Sequence, residues 1–543
     1  MADLSFDVVY VGAGSKSLIN AMYVAKYGGM TVGMFEDRYE AGGGWASEES
    51  PAPGFIANHC SHVHTEIYHD VVYQDFPEWE NMLNYVHTRL CVATIFREDD
   101  SWIGRYSKFA DPNQEKTAKL IARFSEKDAE TYLWMWDKYQ KYWREPIWEA
   151  AWSPPKPFGE LGALDLLMFN PDSGINPVWS FMSPIQVAAD LFESPATQMM
   201  YLRNLQSGGI MPDDYGMGLM IPLSLPIWET IIFPGGNHSI AHAAQRVILE
   251  NGGKIFHRST VDKIIIENGQ AKGIRLADGT EIEAKKAVVC GCNPEQLVFE
   301  LTGPEYWDPK IPRKVRNIRS DFTTITWYTW ALHERPKYKA EAFDPDLPYS
   351  SWTLAAMKDV GYVEREQQRR RAGLWPDPEN FNLVMADWSI YDPSFAPPGK
   401  ACILTEQFVL PATAYSEQEW KEIEKRHADE VVSFWQKYAP NMTWDNVIGY
   451  VPITPYFTAK HARNYAPHGN WHVIDLIPSQ LGSMRPIPEL ADVRNFPIKN
   501  LYPCSTSWGL LPGAESHQGY WVYKIMAEQF GLRKPWEEKG RPY

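Results

Sequence analysis

The fold of this 543-residue chain is decided near its amino terminus, where residues 6–49 read FDVVYVGAGSKSLINAMYVAKYGGMTVGMFEDRYEAGGGWASEE. Residues 6–11 are an apolar run with the length and β-branched content of a buried parallel strand. A Gly12-Ala13-Gly14 turn, a helical pattern over 15–27 and a second apolar strand follow, and that strand ends in Glu36. This order predicts a dinucleotide-binding βαβ unit rather than a glycine turn in an ordinary βαβ unit.

The geometry of the βαβ unit explains the residue type at each of these positions. Gly12 allows the tight turn, and Gly14 lets the backbone approach a pyrophosphate at the positive end of the helix that begins at Ser15. The third position of the fingerprint is Ser17 instead of glycine, and serine is still small enough for close packing of helix and strand. Glu36, with Asp37 beside it, stands where an acid accepts hydrogen bonds from ribose hydroxyls.

The residues that follow resemble those of a known protein family. Residues 41–46 read AGGGWA, which resembles the second glycine pair of flavoprotein oxidases and desaturases, and residues 234–292 (PGG, helix, GG, strand, hairpin) match the same proteins. The whole chain resembles the phytoene desaturase (carotenoid desaturase) superfamily of FAD-dependent oxidoreductases. The resemblance implies FAD as the cofactor, and it implies cofactor contacts at these further positions: Gly43, Gly44, Trp45, Val261, Gly513 and Gly519.

The resemblance also predicts the domain organisation. We expect an α/β fold in which a discontinuous FAD-binding Rossmann-like domain (1–75, 231–300 and 476–543) holds an inserted mixed-sheet and helical substrate domain (76–230 and 301–475). The charge run at 365–371 predicts a solvated helix face. The stretch 146–184 is rich in Pro, Gly and Trp and predicts a cover over an apolar substrate, with Trp148 and Trp152 as lining residues, or a surface that touches a membrane.

Composition excludes several classes of function. A net charge of −16 argues against nucleic acid, because phosphate contacts need clusters of Lys and Arg. The first strand starts at Phe6 and no apolar run reaches 18 residues, which predicts a cytoplasmic protein with peripheral membrane contact left open. The six cysteines are too scattered to predict a disulfide framework.

The candidate catalytic residues are His59, Glu515 and His517. His59 begins a histidine-rich stretch (59–69) that fits either a metal site or a strand with one polar face, and the resemblance favours a polar, flavin-facing stretch without metal. Glu515 and His517 stand where the family has glycines beside the flavin. They predict a general base that delivers water to a substrate cation, or else caps for the terminal helix.

The predicted function is therefore FAD-dependent dehydrogenation of an apolar isoprenoid or terpene-like substrate by hydride abstraction. Desaturation and allylic hydroxylation with water both remain open at this point, as do a flavin amine oxidase and an FAD-binding non-catalytic subunit of an oxidoreductase complex. The reaction needs a separate electron acceptor. The sequence leaves open whether the chain assembles with itself or with another subunit.

Overall fold

The computed structural model describes residues 4–225, 229–510 and 515–543. Two large sheets organise it, and each gathers strands from distant parts of the chain. The α/β class with an inserted second sheet is confirmed.

The first sheet contains the strand and turn of residues 6–14. Its strands lie in the order Lys254–Phe256, Val32–Phe35, Leu4–Val11, Glu281–Cys290, Gln270–Leu276 and Val261–Glu267, and Leu501–Pro503 pairs with the end of Glu281–Cys290. The strands around Leu4–Val11 pair in parallel. Residues 8–11 and the strand Val32–Phe35 are buried, as their apolar runs predict. The hairpin Val261–Glu267 and Gln270–Leu276 is antiparallel, as Asn268-Gly269 predicts.

The second sheet is mixed. Its strands lie in the order Val447–Ile453, Ile325–Leu332, Ala401–Phe408, Val384–Asp387, Thr353–Ala356, Leu90–Phe96 and Trp102–Tyr106. They come from stretches 76–230 and 301–475 of the chain, as expected for the inserted domain; the exact domain boundaries stay a prediction. Short strands lie at Ser47–Glu48, Ala57–Asn58, His64–Thr65, Val86–His87 and Thr230–Ile232.

Helices cover both sheets. Ser15–Lys26 packs against His238–Glu250 and against the carboxy-terminal helix His517–Phe530. Glu417–Gln436 begins with a Ser416–Glu419 capping box. The other α-helices are Glu66–Asp75, Glu78–Met82, Glu115–Ala122, Glu126–Lys138, Arg144–Trp152, Ala163–Phe169, Pro184–Leu191, Pro195–Ser207, Met220–Leu223, Lys310–Val315, Val360–Arg371, Pro455–His461, Pro488–Ala491 and Pro535–Glu538.

The charge run differs from its prediction. It does form the end of the helix Val360–Arg371, but Glu366 and Arg370 are buried and make an ion pair at 2.8 Å. The face is not fully solvated, because this helix packs against Pro195–Ser207 on one side.

Candidate functional site

A cavity of about 640 Å³ lies between the two sheets. Val11, Phe35 and Val261 of the first sheet line one end, and Trp327 and Glu406 of the second sheet line the other. The two ends differ in chemistry.

The glycine turns form the wall of the first end. Gly12 has φ +85°, and a Cβ on Gly12 or Gly14 would meet no atom within 4 Å, so both backbones face open space. The second glycine cluster lies directly against this turn, because Gly42 N–H donates to the carbonyl of Ala13 at 2.9 Å and a Cβ on Gly43 would lie 3.1 Å from Gly14 Cα. Side chains at these positions would fill the space that a diphosphate needs.

Glu36 is held in place by the turn itself. Its Oε2 accepts from Ala13 N–H at 2.8 Å and its Oε1 accepts from Arg38 N–H at 2.9 Å. The carboxylate therefore faces the cavity in one orientation, beside the helix amino terminus. Asp37 and Val261 line the same end, and Asp37 accepts a hydrogen bond from the Thr260 hydroxyl.

The small residues of the first helix explain its close approach to the sheet. Ser15 is the first residue of the helix and lines the cavity. Ser17 is 1% exposed, and a Cβ on Gly291 would lie 2.7 Å from its Oγ. Serine at the third fingerprint position thus packs where the sequence analysis required a small residue.

Gly519 lies at a helix crossing. A Cβ there would lie 2.5 Å from the Lys16 carbonyl oxygen, and Asn20 Nδ2 donates to the Gly519 carbonyl at 3.0 Å. Packing of the first and last helices therefore accounts for this glycine; its contact with a cofactor stays a prediction. Gly513 lies outside the described residues.

Gly44 and Trp45 lead from the glycine end towards the middle of the cavity. A Cβ on Gly44 would lie 3.3 Å from the Tyr465 hydroxyl, which is itself 3.3 Å from Cys60 Sγ. Trp45 is 1% exposed and lines the cavity, with its ring against those of His64 and His69.

The histidine-rich stretch forms a buried hydrogen-bonded chain. Ser61 Oγ lies 2.9 Å from His64 Nε2, His64 Nδ1 lies 2.8 Å from His69 Nε2, and His69 Nδ1 lies 2.9 Å from Ser516 Oγ. Burial lowers the pKa of His64 to about 3 and that of His69 well below its ordinary value, so both rings are neutral at pH 7. The chain ties the cavity wall at Ser61 to the start of the last helix.

The three predicted catalytic residues occupy different environments. His59 lines the cavity, and burial lowers its pKa although Glu48 Oε2 lies 3.6 Å away. Glu515 and His517 are buried but are not among the described residues that line the cavity.

Buried contacts hold Glu515 and His517, and Gln518 Nε2 donates to Glu515 Oε1 at 2.8 Å. His517 Nε2 donates to the Ile67 carbonyl at 3.0 Å, its ring lies 4.3 Å from that of Trp152, and burial lowers its pKa to about 3. Burial raises the pKa of Glu515, and the nearby positive charge of Lys16 opposes that rise. A general-base role for Glu515 or His517 stays a prediction.

The second end of the cavity is aromatic. Trp327, Trp352 and Trp471 line it together with the apolar side chains of Ile210, Ile453 and Leu476. In the described part of the chain, the indole nitrogens of Trp327 and Trp471 and His472 Nδ1 are buried without a hydrogen-bond partner. An apolar cavity whose wall carries a few unsatisfied polar atoms is typical of a binding site for a small molecule.

The sequence analysis missed two residues at this end, His62 and Glu406. His62 Nδ1 lies 2.6 Å from Glu406 Oε1, and both side chains are buried and line the cavity. Glu406 pairs in register with Trp327, which in turn pairs with Ile453, so the three form one row across the second sheet. The signal was present: Glu406 is the single charged residue in the apolar strand 401–408.

The Trp-rich stretch differs from its prediction. None of residues 146–184, all of which the structure describes, lines the cavity. Trp152 is fully buried against His517 and Tyr520, and Trp148 Nε1 donates to Asp70 Oδ2 at 3.3 Å, so both are packing residues. The prediction was wrong because tryptophan content reports apolar area and not the side to which that area faces.

The outer side of the same stretch carries exposed large apolar side chains. Phe158 is 69% exposed, Phe169 64% and Phe181 78%. Large apolar side chains exposed in this way are more typical of a surface that contacts another molecule than of a surface that faces only solvent. Within the described ranges no helix has the length and apolarity to cross a bilayer.

No family model matches the chain. One of the subunits of limonene dehydrogenase from Castellaniella defragrans is 24% identical to it, over 98% of this chain and 96% of its own length. The 4,4'-diapophytoene desaturase (4,4'-diapolycopene-forming) of a Methylomonas species is 44% identical over 31% of this chain and 30% of its own length.

Solved structures share the fold. An oxidoreductase from Methanosarcina mazei superposes with a TM-score of 0.60 at 15% identity, covering 97% of this chain and 100% of its own. Putrescine oxidase bound to putrescine superposes with a TM-score of 0.59 at 11% identity, covering 97% and 99%. At these identities the likeness concerns the fold alone.

Proposed function

Since the chain belongs to the phytoene desaturase-like superfamily of FAD-dependent oxidoreductases, we propose that it is a dehydrogenase that removes a hydride from an apolar isoprenoid or terpene-like substrate. The observation that carries the proposal is the continuous cavity that joins a glycine-walled, acidic end to an aromatic end. One end suits a dinucleotide and the other suits an apolar hydrocarbon.

The residues of the first end would hold FAD. Gly12, Gly14 and Gly43 leave room for the diphosphate beside the helix amino terminus, and Glu36 presents its carboxylate to a ribose diol. Val261 lines the end where the adenine would lie. When bound, the flavin supplies the chemistry of hydride acceptance from a carbon atom.

The residues of the second end would bind and orient the substrate. Trp327, Trp352 and Trp471 offer large apolar surfaces with few rotamers, which bind a hydrocarbon and exclude water. Positive charge develops on a carbon that loses a hydride, and the faces of aromatic rings stabilise such charge by about 0.5–2 kcal/mol each.

Electrons must then leave to a separate acceptor. The relative from Castellaniella defragrans is named as one subunit of a dehydrogenase, which supports assembly with a second chain. The exposed side chains between Phe158 and Phe181 offer an apolar surface for that assembly. Contact of the same surface with a membrane stays a prediction.

A flavin amine oxidase is the second candidate, and one observation favours it. Glu406 places a carboxylate in an aromatic cavity, and an ammonium group would pair with such a carboxylate. The match to the limonene dehydrogenase chain, which extends over nearly the whole of both sequences, favours the dehydrogenase instead.

An anaerobic substrate screen tests the proposal. The protein loaded with FAD is mixed with terpenes, longer isoprenoids and amines, and the loss of the oxidised flavin spectrum is followed. We expect reduction by a terpene or isoprenoid. Reduction by amines alone would replace the proposal with the amine oxidase, and a flavin reduced by none of them would favour a non-catalytic FAD-binding subunit.

A further inference from the structure

The histidine–glutamate pair at the aromatic end joins two distant parts of the chain. His62 follows the short strand Ala57–Asn58, whereas Glu406 lies in the strand Ala401–Phe408 of the second sheet. The His62 ring lies edge-on to Trp327 at 5.2 Å and stacks on Trp388 at 6.0 Å. The side chains of His62 and Glu406 are 4% and 7% exposed, so the pair is fixed within the cavity wall.

Hydrogen-bond geometry determines where the protons lie. His62 Nε2 is 3.0 Å from the carbonyl oxygen of Asn58, which can only accept, so Nε2 carries a hydrogen. The 2.6 Å contact between His62 Nδ1 and Glu406 Oε1 also requires a proton between the two atoms, since two lone pairs would repel at that distance. The pair therefore holds one shared proton.

This arrangement leaves one atom for a ligand. Both ring nitrogens of His62 are occupied, and Oε1 of Glu406 is taken by His62. Within residues 4–225, 229–510 and 515–543, Oε2 of Glu406 has no hydrogen-bond partner, and Glu406 lines the cavity. Oε2 is thus the polar atom of the pair that meets the substrate.

We propose that Glu406 is the base that accepts the substrate's proton through Oε2, with His62 as the residue that positions it. This inference rests on the proposed dehydrogenase function. A bound flavin would accept the hydride, with its electron pair, from the first C–H bond of the substrate that breaks. A C–H bond on the adjacent carbon then breaks, its electron pair forms the new C=C bond, and the proton passes to Oε2 of Glu406.

Because the cavity excludes water, the reaction needs a base from the protein, and the Glu406 carboxylate needs His62 as its hydrogen-bond partner. A cation formed in a cavity that excludes water has no solvent to take its proton, and the hydride would return unless a base removes the proton. A buried carboxylate without a partner becomes protonated and cannot act as a base. The hydrogen bond from His62 Nδ1 stabilises negative charge on Glu406, and even a weak base suffices because the substrate cation is a strong acid.

The neighbouring titratable groups do not compete for this role. His59, Cys60 and His64 belong to the same stretch as His62 and interact electrostatically with the pair. Burial lowers the pKa of both histidines and raises that of the thiol, so all three are uncharged near pH 7.

Substitution of Glu406 tests the base directly. We expect Glu406→Gln to bind FAD and substrate but to lose about 10²–10⁴-fold in the rate of product formation, as is usual for a lost general base. Glu366→Gln is the matched control, because it removes a buried carboxylate that pairs with Arg370 outside the cavity; its rate should equal that of the wild type. A Glu406→Gln protein as fast as the control would overturn the inference, whereas wild-type protein that no isoprenoid reduces would refute the proposed function itself.

Substitution of His62 tests the positioning role by a different readout. An amide in His62→Gln can still contact Glu406 but cannot share a positive charge with it, so the acidic limb of the pH–rate profile should move to higher pH. In the flavin-free protein, His62→Gln should show the infrared band of a protonated carboxylic acid at neutral pH, and the double variant with Glu406→Gln should lack it. An unmoved pH profile together with an unchanged infrared spectrum would overturn the role of His62.

Discussion

The orientation of Glu36 makes the loss of FAD in a Glu36→Gln protein a quantitative prediction. The carboxylate uses both oxygens on the turn, one for Ala13 N–H at 2.8 Å and one for Arg38 N–H at 2.9 Å. Glutamine has one oxygen, so one of these donors would face an NH₂ group. The ribose hydroxyls would also lose their charged acceptor.

The two losses act on different quantities. Loss of the ribose acceptor costs about 1–3 kcal/mol of binding, which raises the Kd for FAD by about 5-fold to 150-fold. The donor left without an acceptor lowers the free energy of unfolding of the flavin-free protein by a further amount of about 1–3 kcal/mol. Glu36→Ala removes both acceptor oxygens and should lose more of each.

Flavin fluorescence on titration of the flavin-free protein measures the first quantity, and urea unfolding measures the second. Glu267→Gln serves as the control, since Glu267 is an exposed acid at the far end of the strand Val261–Glu267. Unchanged FAD affinity in both Glu36 variants would refute the assignment of this acid to the ribose.

Three further predictions concern the aromatic end, the buried histidines and the last helix. Trp327→Leu should weaken substrate binding without changing the affinity for FAD, whereas Trp152→Leu should lower the melting temperature without changing the affinity for the substrate. The reverse pattern would indicate that the 146–184 stretch does cover the substrate. The folded-state pKa of His64 is about 3, below the ordinary 6.5, so between these pH values only the unfolded chain takes up a proton at His64. The free energy of unfolding should therefore fall by about 1.4 kcal/mol per pH unit between about pH 6.5 and about pH 3. His64→Asn should reduce that slope, as measured by urea unfolding at a series of pH values. His517→Ala and Glu515→Gln should each keep the turnover rate within about tenfold of the wild-type rate, whereas loss of a general base lowers a rate by about 10²–10⁴-fold. A larger loss, together with an alcohol product whose oxygen comes from isotopically labelled water, would support the hypothesis that these residues deliver water to the substrate.

Local rules predicted the glycine end of the site. Gly12, Gly14 and Glu36 act through the backbone and through neighbours close in sequence, so their spacing carries their geometry. The same holds for Ser17, whose size requirement comes from the approach of one helix to one strand. These features needed no knowledge of the tertiary fold.

Tertiary packing decided what the sequence could not supply. His62 and Glu406 are 344 residues apart, and their contact exists only because the segment after Ala57–Asn58 meets the strand Ala401–Phe408 in the folded chain. The prediction that residues 146–184 cover the substrate was wrong for a related reason. An apolar segment can pack around a protein core as well as around a ligand, and the sequence does not distinguish the two. The apolar pattern of residues 402–410 predicts a strand, but it does not predict that the one acid of that strand, Glu406, faces a cavity.

Flavin reduction by a deuterated substrate tests the central claim most directly. The isoprenoid identified by the anaerobic screen would carry deuterium at the carbon that becomes oxidised, and flavin reduction would be followed in a single turnover without oxygen. The account predicts that deuterium slows the loss of the oxidised flavin spectrum and that one dehydrogenated product forms per flavin reduced. Flavin reduction at the same rate with either isotope, and without a matching amount of dehydrogenated product, would contradict it.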